Sequence, residues 1–147
     1  MVRRGFRLPA AERARVLEAL IALAWARLLF AVLPFQAVMA RLRLRLQSGD
    51  PRTVDGCAPT PASTIAAVGC AVRRGGRVAP FRAVCLQEAV AAMLMLRRRG
   101  LPSEVHFGVV TESASPLHAH AWSVCCGVVV TGERAMNRFT RIAVFRS

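Results

Sequence analysis

The segment Cys85 to Arg99, CLQEAVAAMLMLRRR, constrains the fold more than any other part of the chain. Its apolar residues recur at helical spacing, Glu88 stands near its start, and Arg97, Arg98 and Arg99 stand near its end. Each charge complements the helix dipole at its own end. Gly100 supplies the stop, and Pro102 lies beyond it. Immediately afterwards the period changes to two. EVHFGVV (104–110) and HAWSVCCGVVV (120–130) read as strands, with a turn near Cys126-Gly127, and RFTRIAVF (138–145) reads as a closing strand. One helix followed by antiparallel strands predicts an α+β core.

Upstream, Pro9 suits a first helical turn, and Val16, Leu17, Leu20, Ile21, Ala24 and Leu28 continue at helical spacing. Pro34 ends or kinks that helix near Leu33. A second helix is expected from about Phe35 to Leu46, with RLRLRL as its last part. The strict alternation of that hexapeptide also fits a strand, but three arginines near a helix C-terminus favour the helix. Residues 48–64, SGDPRTVDGCAPTPAST, read as a linker. IAAVGCAVRRGGRVAPF (65–81) reads as a short helix or strand followed by an exposed loop at Gly75-Gly76. The expected organisation is a helical segment over 1–47, the linker, and an α+β core over 65–147, packed as one unit.

The formal net charge of +13 resembles a nucleic-acid signature, but all 21 basic residues are Arg. They are scattered from Arg3 to Arg146 and nowhere interleave with aromatics as a single-strand binder requires. Nucleic acid is therefore not the expected partner; an acidic protein or an anionic membrane surface fits the charge equally well. Five cysteines without a C-x-x-C pair point to free thiols in a reducing cytoplasm. Residues 16–40 are long enough to span a bilayer, yet Glu18, Arg27, Pro34 and Gln36 interrupt them. A buried or partner-facing helix pair is the better reading, and peripheral membrane contact stays open.

Cys85 is the first candidate for chemistry. It begins a helix, where unpaired N–H groups and the positive dipole end favour a thiolate, and Arg82 lies three residues earlier. The alternative is a small buried hydrophobe. A thiolate nucleophile needs a proton carrier. On a strand, His118, His120 and Trp122 share one face, which would let an imidazole meet the head of the Cys85 helix with Trp122 as a screen. His120 lies deeper in the strand pattern than His118, and His106 reads as a partly buried polar residue. The imidazole needs an orienting group, and Glu133 is the only carboxylate after the turn. A zinc site from His118, His120, Cys125 and Cys126 is disfavoured, because adjacent cysteines on a strand point to opposite faces. No metal or cofactor is expected.

The order R-x-x-C-L-x-x-A around Cys85, a helix ending L-x-R-R-G, then G-V, H-A-W and G-V-V-V closely resembles one family. This is the transglutaminase-like, papain-like leader peptidase domain of lasso-peptide B proteins. ERARVLEALIALAWARLLFAVLPF (12–35) is similar to the helical segment preceding that domain, so the likeness runs from about Leu8 to Phe145. It implies a Cys-His-Asp triad on a compact α+β domain, with Cys85 as nucleophile and His120 as general base. The third member implied is an Asp after the glycine turn; here the neighbourhood reads VVVTGER, and the nearest acid is Glu133. Gln87 lies inside the helix, which leaves no side-chain oxyanion donor identified. The resemblance also implies a stand-alone peptidase working with a precursor peptide, a separate leader-recognition protein and a macrolactam synthetase, with the N-terminal helices as a docking surface. The same dyad would serve acyl transfer to an amine, and a non-catalytic adaptor is the third reading.

Overall fold

The computed structural model describes residues 8–47, 62–110, 118–133 and 137–147. The first helix, α1 (Ala10–Val32), ends where expected: Leu33 is already extended ahead of Pro34, and its N–H closes on the Leu29 carbonyl at 2.9 Å. The second, α2 (Phe35–Arg41), is shorter than expected. Arg43 turns left-handed at φ 55°, and Arg45–Leu46 form a short strand, β1. The RLRLRL repeat explains this departure from the expected helix. Leu42 and Leu44 are buried whereas Arg43 and Arg45 are exposed, a partition that a period of two satisfies and a period of 3.6 does not.

Helix α3 (Ala62–Val78) corrects a second expectation, because it runs straight through Gly75-Gly76. The two glycines are not a loop but a close-packing site. A Cβ at Gly75 would sit 3.2 Å from the Ala19 Cβ and 3.3 Å from Leu23 of α1. The expected linker overlaps this helix at Ala62 to Thr64, and 48–61 lie outside the described residues. Helix α4 (Cys85–Arg98) matches its sequence signals closely.

The remaining strands are β2 (Ser103–Val110), β3 (His118–Cys125), β4 (Val128–Thr131) and β5 (Thr140–Arg146). They form one antiparallel sheet with β1 in the order β1-β5-β2-β3-β4. Cys126 (φ 52°) and Gly127 (φ 75°) make the expected turn between β3 and β4. The helices pack on one face of the sheet, and α4 is the shared element. Its Ala89, Val90 and Met93 join Leu29, Val38, Val105 and Ala121 in one apolar cluster. Its Ala91, Ala92, Met95 and Leu96 join Leu23, Val68, Val72 and Cys125 in the other. The architecture is α+β, as the sequence predicts. Cys70, Cys85 and Cys125 are free thiols, but Cys126 is disulfide-bonded, which departs from the expectation of free thiols throughout.

Because α1 seats directly on the bare Cα of Gly75, Gly75→Leu should push the two helices apart and cost about 1–3 kcal/mol. A denaturant melt would show this as a lowered midpoint.

Candidate functional site

Cys85 is the first residue of α4, and its side chain is half-buried against the cluster that contains Val90 and Ala121. The chain enters the helix through extended Val84, whose N–H donates to Gln87 Oε1 at 3.4 Å. Gln87 is thus occupied in capping, and the unpaired backbone N–H groups of the first turn are the donors at this end. Such N–H groups can stabilise a thiolate or an oxyanion without any further side chain.

His120 sits on β3. Ala121 and Cys125 lie in the apolar clusters under the helices, so strict alternation puts His120 and Trp122 on the opposite face of the sheet. The sequence-based expectation had this face turned towards α4. His120 nevertheless reaches α4, because the last β3–β4 pair is Ser123 with Thr131 and β3 has no β4 neighbour beside it. At that open end lies a cleft of about 510 Å³ lined by Arg73, Gly76, Arg77, Glu88, His120, Gly132 and Glu133.

The imidazole is held on three sides. Nε2 lies 3.1 Å from the Gly132 carbonyl oxygen, and the ring centroid is 6.0 Å from that of Trp122 and 5.0 Å from that of Phe139. A carbonyl only accepts, so Nε2 carries the hydrogen and Nδ1 is left as the base. Gly132 is needed for this contact. It adopts φ +81°, and a Cβ there would lie 2.7 Å from the Trp122 Cβ and 3.0 Å from Nε2.

Glu133 is exposed and lines the cleft with His120, but no hydrogen bond joins the two among the described residues. The group that orients the ring is instead the backbone carbonyl one position earlier. His118 is exposed at the strand mouth. His106 is more deeply buried than expected: it shares a hydrogen bond of 2.9 Å with Glu104, which also accepts from Arg146 at 3.2 Å. Burial holds the His106 imidazole below its ordinary value of 6.5, against the opposing pull of Glu104. Cys85 and His120 stand on packed elements, but no hydrogen bond joins them and Cys85 is not among the cleft-lining residues.

The residue that bridges the gap is Glu88, which the sequence reading took only as a complement to the helix dipole. It follows Cys85 by three positions, so it projects from the same side of α4 one turn on. Its carboxyl is half-buried, has no ion-pair partner among the described residues, and feels both Arg73 and His120. Burial raises its pKa above 4.5, with Arg73 and His120 opposing. The bare Cα of Gly76 makes room for it: a Cβ there would be 3.0 Å from Glu88 Oε1. The i, i+3 spacing from Cys85 was the available signal.

A half-buried cysteine at the head of a core helix, beside a sheet whose strand carries a tethered histidine, is a cysteine peptidase or acyltransferase type of fold. A family model described as the transglutaminase-like superfamily matches residues 26–144. The chain belongs to the transglutaminase-like superfamily, whose members are usually cysteine-dependent enzymes. No curated protein and no solved structure matches the chain.

A carboxyl whose pKa is raised on folding contributes stability that is complete below its unfolded value and lost as pH rises through its folded value. Glu88→Gln should therefore raise the melting temperature at neutral pH, with the gain vanishing below about pH 4.5. Melting curves of both proteins across that range check the sign.

Proposed function

We propose that this protein is a cysteine peptidase that removes the leader from a lasso-peptide precursor through an acyl-enzyme on Cys85. The observation that carries the reading is the free Cys85 thiol at the first position of the central helix of a transglutaminase-like chain. In the reaction the Cys85 sulfur attacks the carbonyl at the leader–core junction, and the thiol proton passes to His120 Nδ1. The oxyanion is met by backbone N–H groups at the head of α4. As the C–N bond breaks, His120 returns the proton to the leaving amine. Water, deprotonated by the same nitrogen, then releases the leader as a carboxylic acid and restores the thiol.

His120 must close on Cys85 when substrate enters, as catalytic hydrogen bonds often do only in the substrate complex. In this reading a separate leader-recognition protein presents the precursor, and a macrolactam synthetase takes the released core. Acyl transfer is a second reading with a specific observation behind it. Glu88 and Glu133, which form no ion pair among the described residues, line the cleft beside Arg73 and Arg77 and offer carboxylates to an amine acceptor.

Incubation with a precursor peptide and the recognition protein, followed by mass measurement, separates the two: hydrolysis adds water and transfer adds the amine. Cys85→Ala should abolish product, and continued cleavage would end the proposal. His120→Ala should cost about 10²–10⁴ in rate, and His118→Ala far less. Glu133→Gln should have a small effect, because the Gly132 carbonyl already orients the ring. An alkylation-inert Cys85 near neutral pH would instead favour a non-catalytic adaptor.

A further inference from the structure

The outer face of α1 carries the largest concentration of exposed apolar side chains among the described residues. Leu17, Ile21, Trp25, Leu28 and Val32 follow at steps of four, four, three and four residues, so they form one stripe about 23 Å long. Their exposure runs from 46% at Trp25 to 67% at Val32. The opposite face, with Ala19, Ala22, Leu23, Ala26 and Leu29, is buried in the core. A helix that is apolar on both faces is ordinarily covered on both.

The charges around the stripe indicate what covers it. The two acids of α1 are both neutralised: Glu12 pairs with Arg74 at 2.9 Å, and Glu18 pairs with Arg99 at 2.8 Å and Arg98 at 3.3 Å. No carboxylate of this helix is left to repel an anion. Exposed Arg13 stands one turn before Leu17, and exposed Arg27 lies beside the stripe with its guanidinium over Phe81. Arg98, 74% exposed, flanks the other side through Glu18, and Arg3, Arg4 and Arg7 precede the helix in the sequence. A net charge of +13 opposes pairing with a second copy and favours an anionic partner. The stripe is a convex ridge, which a compliant surface accepts without a prepared groove. No helix among the described residues is long and apolar enough to cross a membrane, so contact would be with the surface.

We propose that α1 docks the protein on an anionic lipid bilayer, with the apolar stripe at the boundary of headgroups and acyl chains and the arginines meeting lipid phosphates. Trp25, midway along the ridge, presents an amphipathic ring suited to that depth. The proposal stands independently of the chemistry at Cys85.

The test mixes the full chain with vesicles of phosphatidylcholine alone or doped with phosphatidylglycerol, and reads sedimentation and Trp emission. Trp122 is only 4% exposed, so a blue shift reports Trp25. Binding should be about tenfold or more tighter to the anionic vesicles and should weaken with salt. Ile21→Glu and Leu28→Glu should each lower it about tenfold. Both side chains face solvent, so the helical circular dichroism and the Cys85 alkylation rate should not change. The proposal is overturned by no binding to anionic vesicles, by binding indifferent to both substitutions, or by a concentration-dependent dimer that the same substitutions abolish. An acidic protein that binds through this stripe in the absence of vesicle binding overturns it equally.

Discussion

The structure depends on the burial of α4 along nearly its whole length. Ala89, Val90 and Met93 face one apolar cluster while Ala91, Ala92, Met95 and Leu96 face the other, so helices and sheet are organised around one rod. Small residues on α4 let α1, α3 and the sheet all approach it closely, and each removed methylene or forced gap would be felt by several neighbours. Only the ends escape this packing. The C-terminal end spends its charge on Glu18, and the N-terminal end presents Cys85 and Glu88. A thiol at the head of a helix packed along its length has little room to travel, so in the proposed reaction the closing movement falls to the strand side, where His120 holds one hydrogen bond to the Gly132 carbonyl.

Electrostatics sharpens the same division. Of the carboxylate side chains among the described residues, Glu12, Glu18 and Glu104 are ion-paired with arginine, and the two left without such a pair, Glu88 and Glu133, both line the cleft. In a chain with 21 arginines and eight acids, a carboxylate that forms no direct ion pair, although Arg73 and Arg77 line the same cleft, is the unusual case. Glu88 is the more constrained of the two: it is half-buried, with its pKa raised by desolvation, and thus carries a cost to the fold that pairing would have removed. Destabilising polar groups of this kind concentrate at functional sites.

Much of this was legible in the sequence. Pro34, Gly100 and the Cys126-Gly127 pair fix element ends by backbone chemistry, which acts locally, and the period-two segments gave β2 to β5 close to their limits. The misreadings arose where tertiary contact overrode local preference. Gly75 and Gly76 carry loop-forming letters, yet they serve as helix positions because α1 and the Glu88 carboxyl need the space a Cβ would fill. RLRLRL carries helix-forming letters, yet Leu42 and Leu44 take buried sites and Leu46 pairs with Phe145 of β5. At the site, the position of Cys85 on its helix and of His120 on its strand followed from pattern. Alternation grouped the strand residues correctly but did not say which group faces the helices. The orienting Gly132 oxygen was invisible because a backbone carbonyl has no letter of its own.

The glycine pair in α3 links these parts. Each glycine inside a helix costs about 1 kcal/mol relative to alanine, and a sequence that keeps two in succession needs a contact for each. Gly75 faces Ala19 and Leu23 of α1, and Gly76 faces the Glu88 carboxyl and Ala83. The neighbouring residue Arg77 and, one turn back, Arg73 line the cleft from the same helix. Helix α3 therefore carries the seat of α1 and one wall of the cleft on consecutive residues, with no flexible joint between them.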